Sequence, residues 1–438
     1  MIRTALLYAT SVSLAERPRL RIFTFCVMYV AQGIPWAFTA ITLPAYLSAG
    51  KVSDEALGAV VAMTTLPYSF KWAWGFLIDA FPSRRFGRRR PWIVFAQGMM
   101  ALTIGAMILI PDLTESTRLL AWMVFIHTVF NSMQDVAVDA LAVDLLDEEE
   151  RGRANGLMYA SKYVGGAIGG AGLSHVMAWT SLRGALIVQT AILGLIILLP
   201  LFVRERPVGD EPKRPAVWTA VIAWWKRTFG GRRIHSVIWE NRTALRSALL
   251  VLLVMLISIF ATSLLALIGN GLFTRELGWK PEAYGSLIGG WGLVAGGLGA
   301  VAGGYLADRV GHRLLAAIAS LLLAVYYVFW SQTEAHWASQ TFVYSVFWVE
   351  PALVGTMTAA LFALCMDVTW KSIAASQFAI YMAMLNVSST LAYSHAGDAT
   401  ERWDYPTIYL VAATIQASLV LVLPLVNPKA TSAASSAA

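Results

Sequence analysis

Gly304-Tyr-Leu-Ala-Asp308-Arg309-Val-Gly311-His312-Arg313 lies where one long apolar segment ends and the next begins. The first half of the chain holds its counterpart, Gly75-Phe-Leu-Ile-Asp79, followed by five arginines from Arg84 to Arg90, among them Arg88, around Gly87. An aspartate at a helix end, a tight glycine turn and basic residues can form charge pairs with a neighbouring helix. Such pairs can break and re-form as two bundles rock. A single copy would say little, because loop arginines can serve topology alone. Two copies at matching places divide the chain into two related halves.

The composition around those copies fixes the class. Of 438 residues, 58% are hydrophobic and only 13% charged, with 17 tryptophans. A soluble domain carries roughly 25% charge and could not hide this much apolar surface in one core. Stretches of about 20 apolar residues recur, each long enough to cross about 30 Å of hydrocarbon. Spans are predicted near 22–48, 57–80, 91–110, 118–145, 153–178 and 184–203, then near 246–274, 283–307, 314–331, 340–368, 373–397 and 405–427. The expected fold is therefore an all-α integral membrane protein of twelve transmembrane helices in two six-helix halves. Residues 22–203 would form the N-terminal bundle and 246–427 the C-terminal bundle. Segment 1–21, loop 204–245 and tail 428–438 would lie outside the membrane.

Basic residues set the expected orientation. Ten Lys and Arg lie from Arg204 to Arg246, and Arg3, Arg17, Arg19 and Arg21 precede the first span. With the Arg84–Arg90 cluster they fall on one side of an even-numbered topology. The opposite side holds Lys51, Arg118, Arg183, Arg275, Lys280 and Arg402. The positive-inside rule puts both termini and the central loop in the cytoplasm. The net charge of +7 then reflects topology. A nucleic-acid surface would need those charges on a folded domain, and none is predicted. Residues 217–229 of the central loop mix tryptophans with Lys226 and Arg227. They read either as an interfacial helix or as a solvated linker. Cys26 and Cys365 give no metal spacing and no expected disulfide. The start of the chain lacks a signal peptide's apolar core and cleavage site.

The chemistry concentrates in Asn131-Ser-Met-Gln-Asp135-Val-Ala-Val-Asp139, within the fourth span. A carboxylate at membrane depth costs about 2.5–3.5 kcal/mol on insertion scales, which favours a functional reading. Gln32, Lys71, Asp135 and Lys162 each stand about nine or ten residues, roughly 14–15 Å, from the basic side. That is near the midplane of a core about 30 Å thick. His127, Asn131, Asp135 and Asp139 form one helical stripe that must face the bundle interior or water. Asp135 is the expected main proton site, and Asp139, nearer the cytoplasm, either relays its proton or stabilises it. Lys71 and Lys162 would hold a solute carboxylate or phosphate, or else pair permanently with the aspartates. Gln32, Asn131 and Gln134 are either substrate contacts or interhelical hydrogen bonds. In the second half Glu350 and Asn386 are the candidates at similar depth. Tyr326, Tyr327, Trp330, Trp348 and Trp291 offer either an aromatic wall or packing.

The paired loop motif resembles the signature of the major facilitator superfamily. The resemblance narrows at Ala31-Gln32-Gly33-Ile34-Pro35 and Leu66-Pro67-Tyr68-Ser69-Phe70-Lys71-Trp72. Gln134-Asp135-Val136-Ala137-Val138-Asp139, Asp147-Glu-Glu-Glu-Arg151-Gly152 and Lys371-Ser372 before Ser376-Gln377-Phe378-Ala379 agree. Together they look like the AmpG-type muropeptide permeases, a group that widens to acetyl-CoA transporters and some siderophore importers. Met255-Leu-Ile-Ser-Ile-Phe-Ala-Thr-Ser263 departs from that pattern, since those permeases tend to carry an acidic residue there. The resemblance implies a bacterial inner-membrane secondary transporter that imports an amphiphilic anionic solute with protons. Muropeptide-like sugar-peptides come first, siderophore or acyl-CoA-type solutes next, and a transporter-like sensor without turnover is a third reading. Six histidines scattered one per segment argue against an enzyme. No cofactor or metal is expected, and the partners are the solute, protons and lipid around a monomer.

Overall fold

The computed structural model describes residues 13–80, 87–110, 116–146, 148–207, 242–369 and 374–428. Arg84, Lys371 and the 217–229 stretch of the central loop lie outside the described residues. At Asp79 and Asp308 only the helical backbone is described.

Helices account for nearly all of the described chain. In order they are α1 (Pro18–Ala49), α2 (Asp54–Ala62), α3 (Trp72–Ala80), α4 (Arg90–Ile108), α5 (Thr117–Leu145), α6 (Glu148–Ala167), α7 (Leu173–Trp179) and α8 (Leu182–Phe202). There follow α9 (Arg242–Glu276), α10 (Pro281–Ala307), α11 (His312–Gln332), α12 (Gln340–Asp367), α13 (Ala374–Ser394), α14 (Ala396–Arg402) and α15 (Tyr405–Leu425). Starts follow ordinary capping chemistry. Ser53, Ser181 and Asp404 accept the amides of Ala56, Gly184 and Thr407, while Pro18, Pro91, Pro281 and Pro406 occupy first-turn positions.

Among the described residues, 8 helices are long and apolar enough to cross a membrane: α1, α4, α8, α9, α10, α11, α12 and α15. The helices outside that set include those that bear or adjoin the polar residues. Pro67 breaks the second predicted span into α2, a 3-10 turn at Leu66–Phe70 and α3, with Lys71 at the joint. The stripe of aspartates lies on α5 and Lys162 on α6.

The chain divides into two compact units, Met1–Thr42 with Phe70–Val221, and Leu43–Ser69 with Ile222–Ala438. In the first, α1 packs on α6, and α4 packs on both α5 and α8. Phe25, Met28, Tyr29, Ile78, Ile93, Val138 and Leu141 form its core. In the second, α10 packs on α12 and α11 on α15. The segment 43–69 belongs there because its contacts are specific. Arg275 clasps Asp54 through two 2.7 Å hydrogen bonds, and Thr65 meets Thr390 at 2.7 Å. A Cβ on Gly58 would lie 2.1 Å from the carbonyl oxygen of Tyr393.

Both loop motifs make clasps. In the first unit Gly87 (φ +94°) turns the chain into α4, and a Cβ there would lie 2.8 Å from Glu205. The Glu205 carboxylate accepts the amides of Arg88, Arg89 and Arg90, capping the otherwise unsatisfied start of α4. Arg89 and Arg88 reach Asp144 at the end of α5, at 3.0 and 3.8 Å. Arg90 donates to the carbonyls of Pro200 and Leu201. The second unit repeats the plan with Gly311, also at φ +94°. There His312 meets Asp367 at 2.6 Å, and Arg313 donates to the carbonyls of Val426 and Pro424. Arg309 lies over the Tyr305 ring at 4.2 Å. Gly75 and Gly304 face open space, so their place in the motif is not close packing.

Burial pushes the Glu205 carboxyl up from its ordinary range, against the three amides and Arg89, which draw it down. What α4 needs is therefore an acceptor as much as a charge. Glu205→Ala strands three amides and should lower stability by about 3 kcal/mol. Glu205→Gln keeps an acceptor and should cost about half that. Thermal unfolding of the detergent-solubilised variants measures both.

Candidate functional site

Three charged side chains from different parts of the first unit meet inside it. Asp135 of α5, with its side chain 6% exposed, lies between two ammonium groups. Lys71 Nζ is 3.3 Å from Oδ2, and Lys162 Nζ is 3.7 Å from Oδ1. The lysines keep side-chain exposures of 35% and 28%, so the cluster is open on their side. A desolvated carboxylate is stabilised only by such direct partners.

Local structure explains how distant residues arrive together. The 3-10 turn after Pro67 ends at Phe70, and the Lys71 carbonyl then accepts the Trp74 amide to start α3. The Trp74 indole donates to Ser132 Oγ at 3.0 Å, tying this joint to α5 just before Asp135. Glycines bring α6 against α1. A Cβ on Gly33 would lie 2.2 Å from the Lys162 carbonyl oxygen, on Gly165 2.3 Å from that of Val30, and on Gly169 2.0 Å from that of Ile34. Thr42 of α1 donates to the carbonyls of Gly169 and Gly170, 2.8 Å from each, where a π turn loosens the helix.

One turn beyond Asp135, Asp139 takes a hydrogen bond from the buried Tyr29 hydroxyl of α1. Gln32 and Gln134 are brought together, though chiefly with each other. Gln32 Nε2 donates to Gln134 Oε1 at 2.7 Å, Gln134 Nε2 to Gln97 Oε1 at 3.2 Å, and Gln97 Nε2 to the Leu193 carbonyl at 3.2 Å. All three amides are fully buried, so they bond across α1, α5, α4 and α8. Asn131 is buried too, and its Oδ1 has no hydrogen-bond partner among the described residues. His127 meets Thr103 at 3.0 Å.

In the second unit Tyr327 of α11 donates to Glu350 of α12 at 3.0 Å. Asn386 of α13 turns back on its own helix, donating to the Met382 carbonyl at 3.0 Å. Tyr326, Tyr327 and Trp330 are buried in an aromatic stack that includes Trp337 and Tyr409. Trp291 and Trp348 are half-exposed and pair with ring centroids 5.4 Å apart.

Sequence reasoning missed Glu205, Asp144 and Gln97. Asp144 and Asp367 end corresponding helices of the two halves, a signal that was available. Glu205 sits more than a hundred residues from the amides it caps. Among the described residues no group of His, Cys, Asp and Glu could hold a metal ion.

The chain is 28% identical to the anhydromuropeptide permease of Escherichia coli strain K12 over 418 residues, covering 93% of this chain and 80% of that one. Solved structures share its fold at low identity. A POT family transporter in complex with a thioalcohol-conjugated peptide superposes with a TM-score of 0.71 at 10% identity, covering 94% of this chain and 97% of that one. The D-xylose-proton symporter gives 0.68 at 12% identity, covering 92% and 96%. These relatives are permeases and transporters rather than enzymes. The profile of the Major Facilitator Superfamily matches residues 25–269, more than half of the chain, and this all-helical, multi-pass membrane protein belongs to that family.

Proposed function

We propose that the chain is a proton-coupled importer of an amphiphilic anionic solute across the bacterial inner membrane, with muropeptide-like sugar-peptides the first candidates. The observation that carries this reading is the position of Asp135 between Lys71 and Lys162. A solute carboxylate or phosphate can take over those ammonium groups. Asp135 is then left without its counter-charges, and a buried carboxylate in that condition is neutralised by a proton. Solute anion and proton thus enter the site together and leave its net charge unchanged. Asp139, one turn nearer the clasp and bonded to Tyr29, offers the next station for that proton. Twelve crossings with both termini cytoplasmic, and a monomer, complete the proposal. The permease similarity supports the solute class, and the basic-residue bias supports the orientation.

Uptake of labelled anhydro-muropeptide into proteoliposomes, with and without an inward proton gradient, tests the reading. Gradient-driven accumulation is expected in the wild type. Its absence from folded protein would discard this solute and turn the search to siderophores and acyl-CoA compounds. Asp135→Asn should lose accumulation against a gradient, and a folded variant with full pH dependence would remove Asp135 from the coupling.

Lys71→Gln and Lys162→Gln should each raise the half-saturating concentration of the anionic solute about tenfold, the equivalent of one charge-assisted hydrogen bond. If both lysines serve only to pair with Asp135, the variants would lose stability with no selective change in saturation. Uptake kinetics beside thermal unfolding separate the two outcomes.

A further inference from the structure

Each unit contains one membrane-embedded carboxyl held by a buried tyrosine from another helix. Tyr29 of α1 holds Asp139 of α5, and Tyr327 of α11 holds Glu350 of α12. Their surroundings differ. Asp139 faces Asp135, Lys71, Lys162, Tyr29 and Tyr159, so ammonium groups stand close by. Glu350 faces tyrosines from three helices: Tyr284 of α10, Tyr326 and Tyr327 of α11, and Tyr409 of α15. Among the described residues of its unit, no lysine, arginine or histidine is within ion-pair distance of it.

The difference in partners has a chemical consequence. An ammonium group only donates, so protonating Asp135 ends its ion pairing with both lysines and leaves one carbonyl oxygen to accept from them. A phenol hydroxyl donates to a carboxylate and can equally accept from a carboxylic acid. The Tyr327–Glu350 hydrogen bond therefore survives gain or loss of a proton. An ionised carboxylate at this depth, with one phenol and no cation to stabilise it, bears a desolvation cost that a proton removes. Tyr327 is 0% exposed, Tyr284 3% and Tyr409 7%, so the phenols around the half-buried Glu350 are themselves withdrawn from solvent.

We propose that Glu350 is a second proton-binding site, loaded and unloaded within its ring of tyrosines. Its place in a transport cycle rests on the proton-coupled reading above; proton binding by Glu350 does not.

Infrared spectra of the full chain reconstituted in lipid, taken across a pH titration, test the site without any solute. The wild type should show a carboxylic-acid carbonyl band that titrates and that is absent from Glu350→Gln. Tyr327→Phe should keep the band but move it to higher wavenumber, because the acid loses the hydrogen-bond partner that lowers its carbonyl frequency. A titration of Glu350→Gln that matches the wild type would overturn the proposal. Should Glu350→Gln not fold, an unshifted band in Tyr327→Phe would overturn it as well. Wild-type protein that shows the Glu350 band but no gradient-driven uptake of muropeptide, siderophore or acyl-CoA solutes would sink the transport reading and leave the proton site standing.

Discussion

A carboxylate enclosed by an apolar bundle must be neutralised by something within reach, and Asp135 is neutralised by two lysines that arrive from different helices. That requirement constrains the surrounding architecture. Lys71 reaches Asp135 because Pro67 interrupts its helix and because Trp74 is fixed to Ser132. Lys162 reaches it because α6 lies against α1 with only glycine between the backbones. A single added methyl group at Gly33 would force those backbones apart beside the lysine. Packing of uncharged residues thus sets the spacing of the charged ones.

The ends of the helices answer a different need. The first four amides and last four carbonyls of any helix lack intrahelical partners. Here those groups are satisfied by residues that also bind neighbouring helices together. Glu205 caps α4 from beyond the end of α8, while Arg90 takes up carbonyls near the end of α8. Arg313 performs the same service for α15. The repeated loop motif is thereby a structural device in both units, made from the same left-handed glycine and the same use of arginine on carbonyl oxygens.

Much of this was legible in the sequence. Counting residues from the basic side placed Lys71, Asp135 and Lys162 at one depth, and the structure brings them into contact. Glycines at the contacts of α1 with α6 and of α10 with α12 allow close backbone approach. Other features were not legible for physical reasons. Depth along a helix does not reveal which way a side chain points, so Gln32 and Gln134 looked exposed to a cavity as readily as to each other. Their mutual hydrogen bond depends on the rotation of α1 and α5, which charge and periodicity leave open. Gln97 gave no signal because one amide in an apolar helix has no spacing to read. Asn386 bonds to its own backbone, a choice decided by side-chain torsions rather than by sequence pattern.

The three buried glutamines carry a consequence of their own. Each passes its hydrogen bond in the same direction, from Gln32 to Gln134 to Gln97 and on to the Leu193 carbonyl. The last acceptor is a backbone oxygen that cannot exchange roles, so the chain has a fixed polarity. Neither Gln134 nor Gln97 can turn over without stranding the preceding amide's donor in an apolar interior. Four helices are therefore joined by a strut with one permitted setting, directly beside an ion cluster whose partners can be exchanged. Stiffness and responsiveness are assigned to adjacent layers of the same bundle, so a change in charge can act on the lysine-bearing segments while the amide layer keeps its register.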